Sequence, residues 1–79
     1  MTYEDGTEIR IGDSVRIERG RTPATVEMII QTDTDMRGLG VDVRGVMLLS
    51  PPFGRVYWTV EVMEEDPLVF DQRGVAPNA

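Results

Sequence analysis

Seventy-nine residues accommodate a single domain, expected over 1–79 as an arm (1–6), a folded body (7–73) and a flexible tail (74–79). With no Cys, neither disulfides nor thiolate metal sites can supplement a core that, at this length, buries only about 60–65% of the unfolded surface. Fourteen acidic residues against eight basic ones give a net charge of −6, which opposes binding to phosphate backbones and suits a basic protein partner.

The chain begins MTYEDGTEIR, with no basic leader and no apolar run, so no secretory signal is expected. No stretch reaches the ~18–20 apolar residues of a membrane span. Together with the missing cysteines this gives the expectation of a cytoplasmic protein. All eight bases are Arg, a bias that fits codon usage better than chemistry.

Asp5-Gly6 signals a turn, and Thr7 to Ile11 alternates polar and apolar residues, predicting a short strand with Ile9 and Ile11 on one face. Gly12-Asp13 interrupts it. Ser14 to Glu18 predicts a strand with Val15 and Ile17 inward, and Gly20 to Pro23 turns the chain. Ala24 to Thr32 follows, with Val26, Met28 and Ile30 on one face and Ile29 on the other. Thr32 to Gly40 reads as the longest loop. Val41, Val43, Val46 and Leu48 share a face if Gly45 forms a bulge. Ser50 to Gly54 connects to a strand over Arg55 to Val60, with Val56, Trp58 and Val60 inward and Tyr57 outward. Glu61 to Pro67 reads as an acidic turn, or one turn of 3₁₀ helix, before a short last strand, Leu68 to Phe70. Short strands between Gly/Pro turns predict an all-β fold, a small barrel of five or six strands whose closure removes exposed edges.

The opening stretch, Gly12-Asp13-x-Val15-x-Ile17-x-x-Gly20-x-x-x-Ala24-x-Val26, resembles the KOW motif of small SH3-like barrels over about fifteen residues. The resemblance implies an SH3-like barrel that binds protein or nucleic acid. The chain departs from the motif at Ala24, where the family usually has Gly, and in the scarcity of the basic residues that members use on RNA.

Catalysis is the easiest class to set aside. There is no His or Cys to serve as general base or strong nucleophile, and Ser14 and Ser50 lie outside any G-x-S-x-G elbow. A glycosidase pair of carboxylates needs a sugar cleft that so small a barrel rarely provides. Asp33 and Asp35 lack the further ligands of a calcium loop and read as solvated acids. No cofactor is expected. Arg16, Arg19 and Arg21 are a candidate anion or nucleic-acid group, in a segment from Ile9 to Val26 that is locally +2 (Arg10, Arg16, Arg19 and Arg21 against Asp13 and Glu18). The structural alternative pairs them with Glu18 and Glu27. The aromatics Tyr3, Phe53, Tyr57, Trp58 and Phe70 would form a cage only by converging on one rim.

The strongest anomaly is VMLLSPPF, Val46 to Phe53. Met47 and Leu49 project opposite to Val46 and Leu48, so the strand is apolar on both faces. A contact surface of Ile29, Met47, Leu49, Phe53 and Tyr57 is therefore expected, serving a protein partner or self-association. The alternative is that the barrel's own curvature and the N-terminal arm cover these residues. Two functions follow: a non-catalytic protein-binding module (a small acidic inhibitor, immunity or adaptor-type bacterial protein), or a KOW-type RNA- or ribosome-associated barrel. Membranes are excluded as partners and nucleic acid is disfavoured by the charge.

Overall fold

Two alternating stretches separated by Glu18 to Arg21 pair as an antiparallel hairpin, β1 (Ser14–Ile17) with β2 (Thr22–Ile30). The computed structural model describes residues 1–51 and 53–73; the expected tail at 74–79 lies outside them. Further along are α1 (Asp33–Leu39), β3 (Gly45–Ser50), β4 (Gly54–Thr59), α2 (Val60–Glu65) and β5 (Val69–Gln72). The five strands form one antiparallel sheet in the order β4-β3-β2-β1-β5. The fold is thus mostly β with two short helices. The expected closure is not made, because the end strands β4 and β5 do not pair. Between them the chain detours through α2, whose entry is capped by Thr59 accepting from Val62 N–H.

Cross-strand partners share a face, so the register sorts the side chains. Val26, Leu48 and Val56 form one inward row, and Ile29, Val46 and Trp58 form the next. Val15 and Ala24 extend that face into β1. Tyr3, Ile9 and Leu68 join it from outside the strands, and Met1, Trp58 and Met63 pack at its margin. Val46 and Leu48 have no exposed surface at all.

Four expectations are corrected. Thr7 to Ile11 is not a sheet strand. Its Glu8 bridges Thr2, with Ile9 N–H donating to the Met1 carbonyl at 2.9 Å, so the first residues are pinned by a small hairpin of their own. Tyr3 and Ile9 are buried, while the turn at Ile11-Gly12 leaves Ile11 66% exposed.

Thr32 to Gly40 is not a loop but carries α1. Thr32 Oγ1 accepts from Asp35 N–H at 3.0 Å, and the Asp35 carboxylate accepts from Thr32 N–H at 3.1 Å, a reciprocal capping box. Gly40, at φ 78°, supplies the left-handed C-terminal residue.

The bulge sits in β2 rather than at Gly45. The register slips between Val26 and Met28, leaving Glu27 as the extra residue and turning Met28 outward and Ile29 inward. Gly45 instead opens β3 where two backbones meet: a Cβ there would lie 2.5 Å from the Trp58 carbonyl oxygen and 2.8 Å from Thr59 Cα.

The acidic segment before the last strand is an α-helix that begins at Val60, so β4 ends one residue early and Val60 has no inward strand position.

Candidate interaction face and the buried Asp13 cluster

The outer surface of β2, β3 and β4 is built by the same register. Thr25, Leu49 and Arg55 form one row across it and Met28, Met47 and Tyr57 the next. Met28, Met47 and Tyr57 are half-buried, whereas Leu49 is 45% exposed between them and the turn to β4. Phe53, in that turn, is 60% exposed. The Tyr57 hydroxyl donates to the Val43 carbonyl, which ties the segment before β3 to the end of the face. Arg55 Nε lies 2.8 Å from Glu27 Oε1. That oxygen is shielded from solvent and makes no aligned hydrogen bond, so the contact is one of charge.

Of the five residues expected to make the contact surface, Met47, Leu49 and Tyr57 lie together on this face and Phe53 stands in the turn beside it. Ile29 does not belong: it shares a row with fully buried Val46 and packs on the core. Met28 takes its place. The physical reason is the bulge at Glu27, which reverses the parity of every residue after it in β2. No composition or spacing rule marks an acidic residue as a bulge, so strict alternation was bound to choose Ile29.

The arginines divide between two places. Arg16 lies on the outer side of β1 between Pro23 and Val69. Arg19 and Arg21 stand in the β1–β2 turn, where Glu18, Arg19, Arg21 and Asp66 line a cleft of about 290 Å³. Arg19 N–H donates to Asp66 Oδ1 at 2.9 Å, holding a turn in which Glu18 and Arg19 adopt φ of 55° and 59°. The pairing expected with Glu18 and Glu27 does not form: Glu18 accepts from Thr22 Oγ1 at 2.5 Å, and Glu27 meets Arg55. Two acids therefore share the cleft with two arginines, and no continuous basic strip results.

The aromatics do not converge either. Tyr57 faces outward, while Trp58 faces the core and its Nε1–H donates to the Asp66 carbonyl at 3.0 Å. Tyr3 and Phe70 meet each other, with ring centres 5.0 Å apart. Asp35 spends its carboxylate on Thr32 and Gln31 N–H groups, which hold its pKa below the ordinary 3.8. No three of His, Cys, Asp and Glu cluster as metal ligands among the described residues, and no helix there is long and apolar enough to cross a membrane.

A feature that sequence reading placed only as a turn is the carboxylate of Asp13, which has no exposed surface. Its Oδ2 accepts from the Tyr3 hydroxyl at 2.6 Å, from Arg10 N–H at 3.0 Å and from Arg73 Nη1 at 2.9 Å. Arg73 also donates to the Glu8 carbonyl and lies 5.2 Å from the centre of the Phe70 ring. Burial first, and then the bond to Asp13, raise the Tyr3 pKa above its ordinary 10.0, so the hydroxyl remains a donor at neutral pH. Tyr3, Glu8, Arg10 and Asp13 come from the first thirteen residues and Phe70 and Arg73 from the far end, and together they form a hydrogen-bonded knot. A buried charge is tolerated when it is paired and hydrogen-bonded in this way.

Comparison with family models, with curated proteins and with solved structures finds no match to this chain.

Proposed function

We propose that this protein is a non-catalytic protein-binding module, built on an SH3-like small-barrel plan with a KOW-like opening hairpin, that receives a basic protein partner on the outer face around Leu49. The observation that carries the reading is the exposure of Leu49 within an apolar setting of Met28, Met47 and Tyr57, on a strand whose opposite side is completely buried. An exposed leucine bordered by further apolar side chains is the kind of surface that a partner covers. The strand order β4-β3-β2-β1-β5 supports the SH3-like plan. The net charge of −6 supports a basic partner, whose encounter it would accelerate, and it works against a second copy of the chain.

The test is affinity capture from nuclease-treated extract of the native host, with wild type and Leu49→Asp as baits of equal, verified folding. Basic proteins retained by wild type and lost from Leu49→Asp are expected. Equal retention by both baits overturns the reading. Material that disappears on nuclease treatment, and from the Arg19→Ala/Arg21→Ala double variant, would replace it with the RNA-associated alternative.

A further inference from the structure

The two ends of the sheet are unequally protected. Strand β5 is four residues long, its pairing with β1 is interrupted by a register shift at Ser14/Val15, Asp71 lies within it, and Pro67 closely precedes it. Short length, irregular pairing, charge and proline are the usual guards of an open edge. Strand β4 has fewer of these, although Pro51 and Pro52 precede it as closely as Pro67 does β5. It runs six residues in unbroken register with β3, from Gly45–Thr59 to Ser50–Gly54, and Arg55 is its one charged residue.

The polarity of the β4 edge follows from one bond. Val60 N–H donates to the Arg44 carbonyl at 2.9 Å, so the antiparallel pairs two and four residues along, Trp58–Val46 and Val56–Leu48, are the ones that exchange hydrogen bonds. The alternate residues, Arg55 and Tyr57, turn their N–H and C=O groups away from β3, as Thr59 does its N–H. No backbone partner meets these groups among the described residues. Strand β4 stands last in the sheet order and pairs on one side only, with β3.

The helix that follows β4 carries charge of one sign. Glu61, Glu64 and Glu65 follow β4 directly in α2, exposed and without an ion pair among the described residues. The last turn of α2 contains no basic residue, although the helix dipole favours cations there.

Resting on the protein-binding reading above, we infer that β4 is a strand-addition site: an extended, basic segment of the partner pairs with the backbone of Arg55, Tyr57 and Thr59. Its alternate side chains then continue the outer face beside Arg55 and Tyr57, one strand on from Leu49, and its cations approach the α2 carboxylates. Main-chain bonds supply the affinity in this mode, and side-chain pockets and charge supply the selectivity. A second copy of the chain brings another −6 to the same place and fits less well.

The probes are three synthetic octapeptides: alternating Val and Lys, alternating Val and Glu, and the Val-Lys peptide N-methylated at every second residue. Amide hydrogen exchange is followed by NMR. The Val-Lys peptide is expected to slow exchange at Arg55, Tyr57 and Thr59 by about tenfold or more, as new backbone bonds require. The other two should leave it unchanged. Tyr57→Pro should abolish the protection while Tyr57→Ala only weakens it, since proline removes the outward N–H at an edge position that tolerates it. If Tyr57→Pro does not fold, the methylated peptide still decides the matter. The inference is overturned if Val-Lys does not bind, if it binds with these amides unprotected, if the methylated peptide binds equally well, or if self-association of the free protein protects the same amides. Loss of captured partners from Leu49→Asp alongside unprotected β4 amides would retain the face and discard the edge.

Discussion

Gly45 has no neighbour that a flexible side chain could vacate. The atoms that a Cβ would strike are backbone atoms of Trp58 and Thr59, and they belong to the strand that Gly45 pairs with. Gly45→Ala must therefore push β4 away or distort the start of β3, and overpacking of this kind costs about 1–3 kcal/mol. Urea unfolding of the two proteins would measure it, and an unchanged midpoint would show that the two backbones can separate freely. The requirement is one of closeness between strands. A sequence shows a glycine here without showing what lies opposite, which is why a bulge was the natural reading. At the same scale, Val15, Ile17, Val26, Val46 and Leu48 were legible as inward residues, because alternation over a few positions is a local property. Ile29 and Met28 were not, because one unpaired residue upstream exchanged their faces.

Among the elements, the two strands of the opening hairpin and the strands on either side of the Ser50 to Gly54 connection could be read from alternation between turn residues. The helices could not be read from hydrophobic period, since α1 spans seven residues and buries none of them completely. What marks α1 is its ends: Thr32 and Asp35 three apart, and Gly40 beyond the last turn. Most of the stability of so short a helix rests on its caps, because nucleation is unfavourable and few bonds follow it. Thr32→Ala is expected to cost about 1 kcal/mol in denaturant unfolding. The partner group, Asp35, adds a dependence on pH. Hydrogen bonds from Thr32 and Gln31 lower its folded pKa below 3.8. Its contribution is therefore complete above the unfolded value and is lost as pH falls through the folded one. Melting temperatures recorded through that acid range should fall less steeply for Asp35→Ala than for wild type; parallel curves would show that the box does not form in solution. The candidate face was legible to a comparable extent. Its central residues, Met47, Leu49 and Tyr57, follow from two-faced apolarity, whereas its neighbour Met28 and the Glu27–Arg55 contact depend on a register that only pairing reveals.

At the level of the whole molecule, the outward face and the buried knot divide the labour. One leaves Leu49 exposed, and the other fastens the N-terminal hairpin and the turn at Asp13 to the residue that follows the last strand. The knot is also where alkali should act. Because the Tyr3 pKa is raised above 10.0, its hydroxyl contributes stability that is complete below that pH and is lost as pH climbs toward the folded value. Tyr57, raised by burial, adds to the same trend. Tyr3→Phe is expected to cost about 1.5–3 kcal/mol near neutrality, as the loss of a bond to a charged group does. It should also flatten the fall in stability above pH 10, followed by urea unfolding at stepped pH; an unaltered alkaline slope would place the sensitivity elsewhere. The knot has a further consequence for how the chain is made. Asp13 and β1 leave the ribosome early, but β5 and Arg73, which complete the pairing of β1 and reach the Asp13 carboxylate, are translated some sixty positions later. Domains acquire structure as units during synthesis at about 5–20 residues per second. For several seconds, then, the nascent hairpin is without its last strand and its guanidinium. Arg73 can reach the Asp13 carboxylate only once it has left the ribosome, so closing the knot is among the last steps in making this fold.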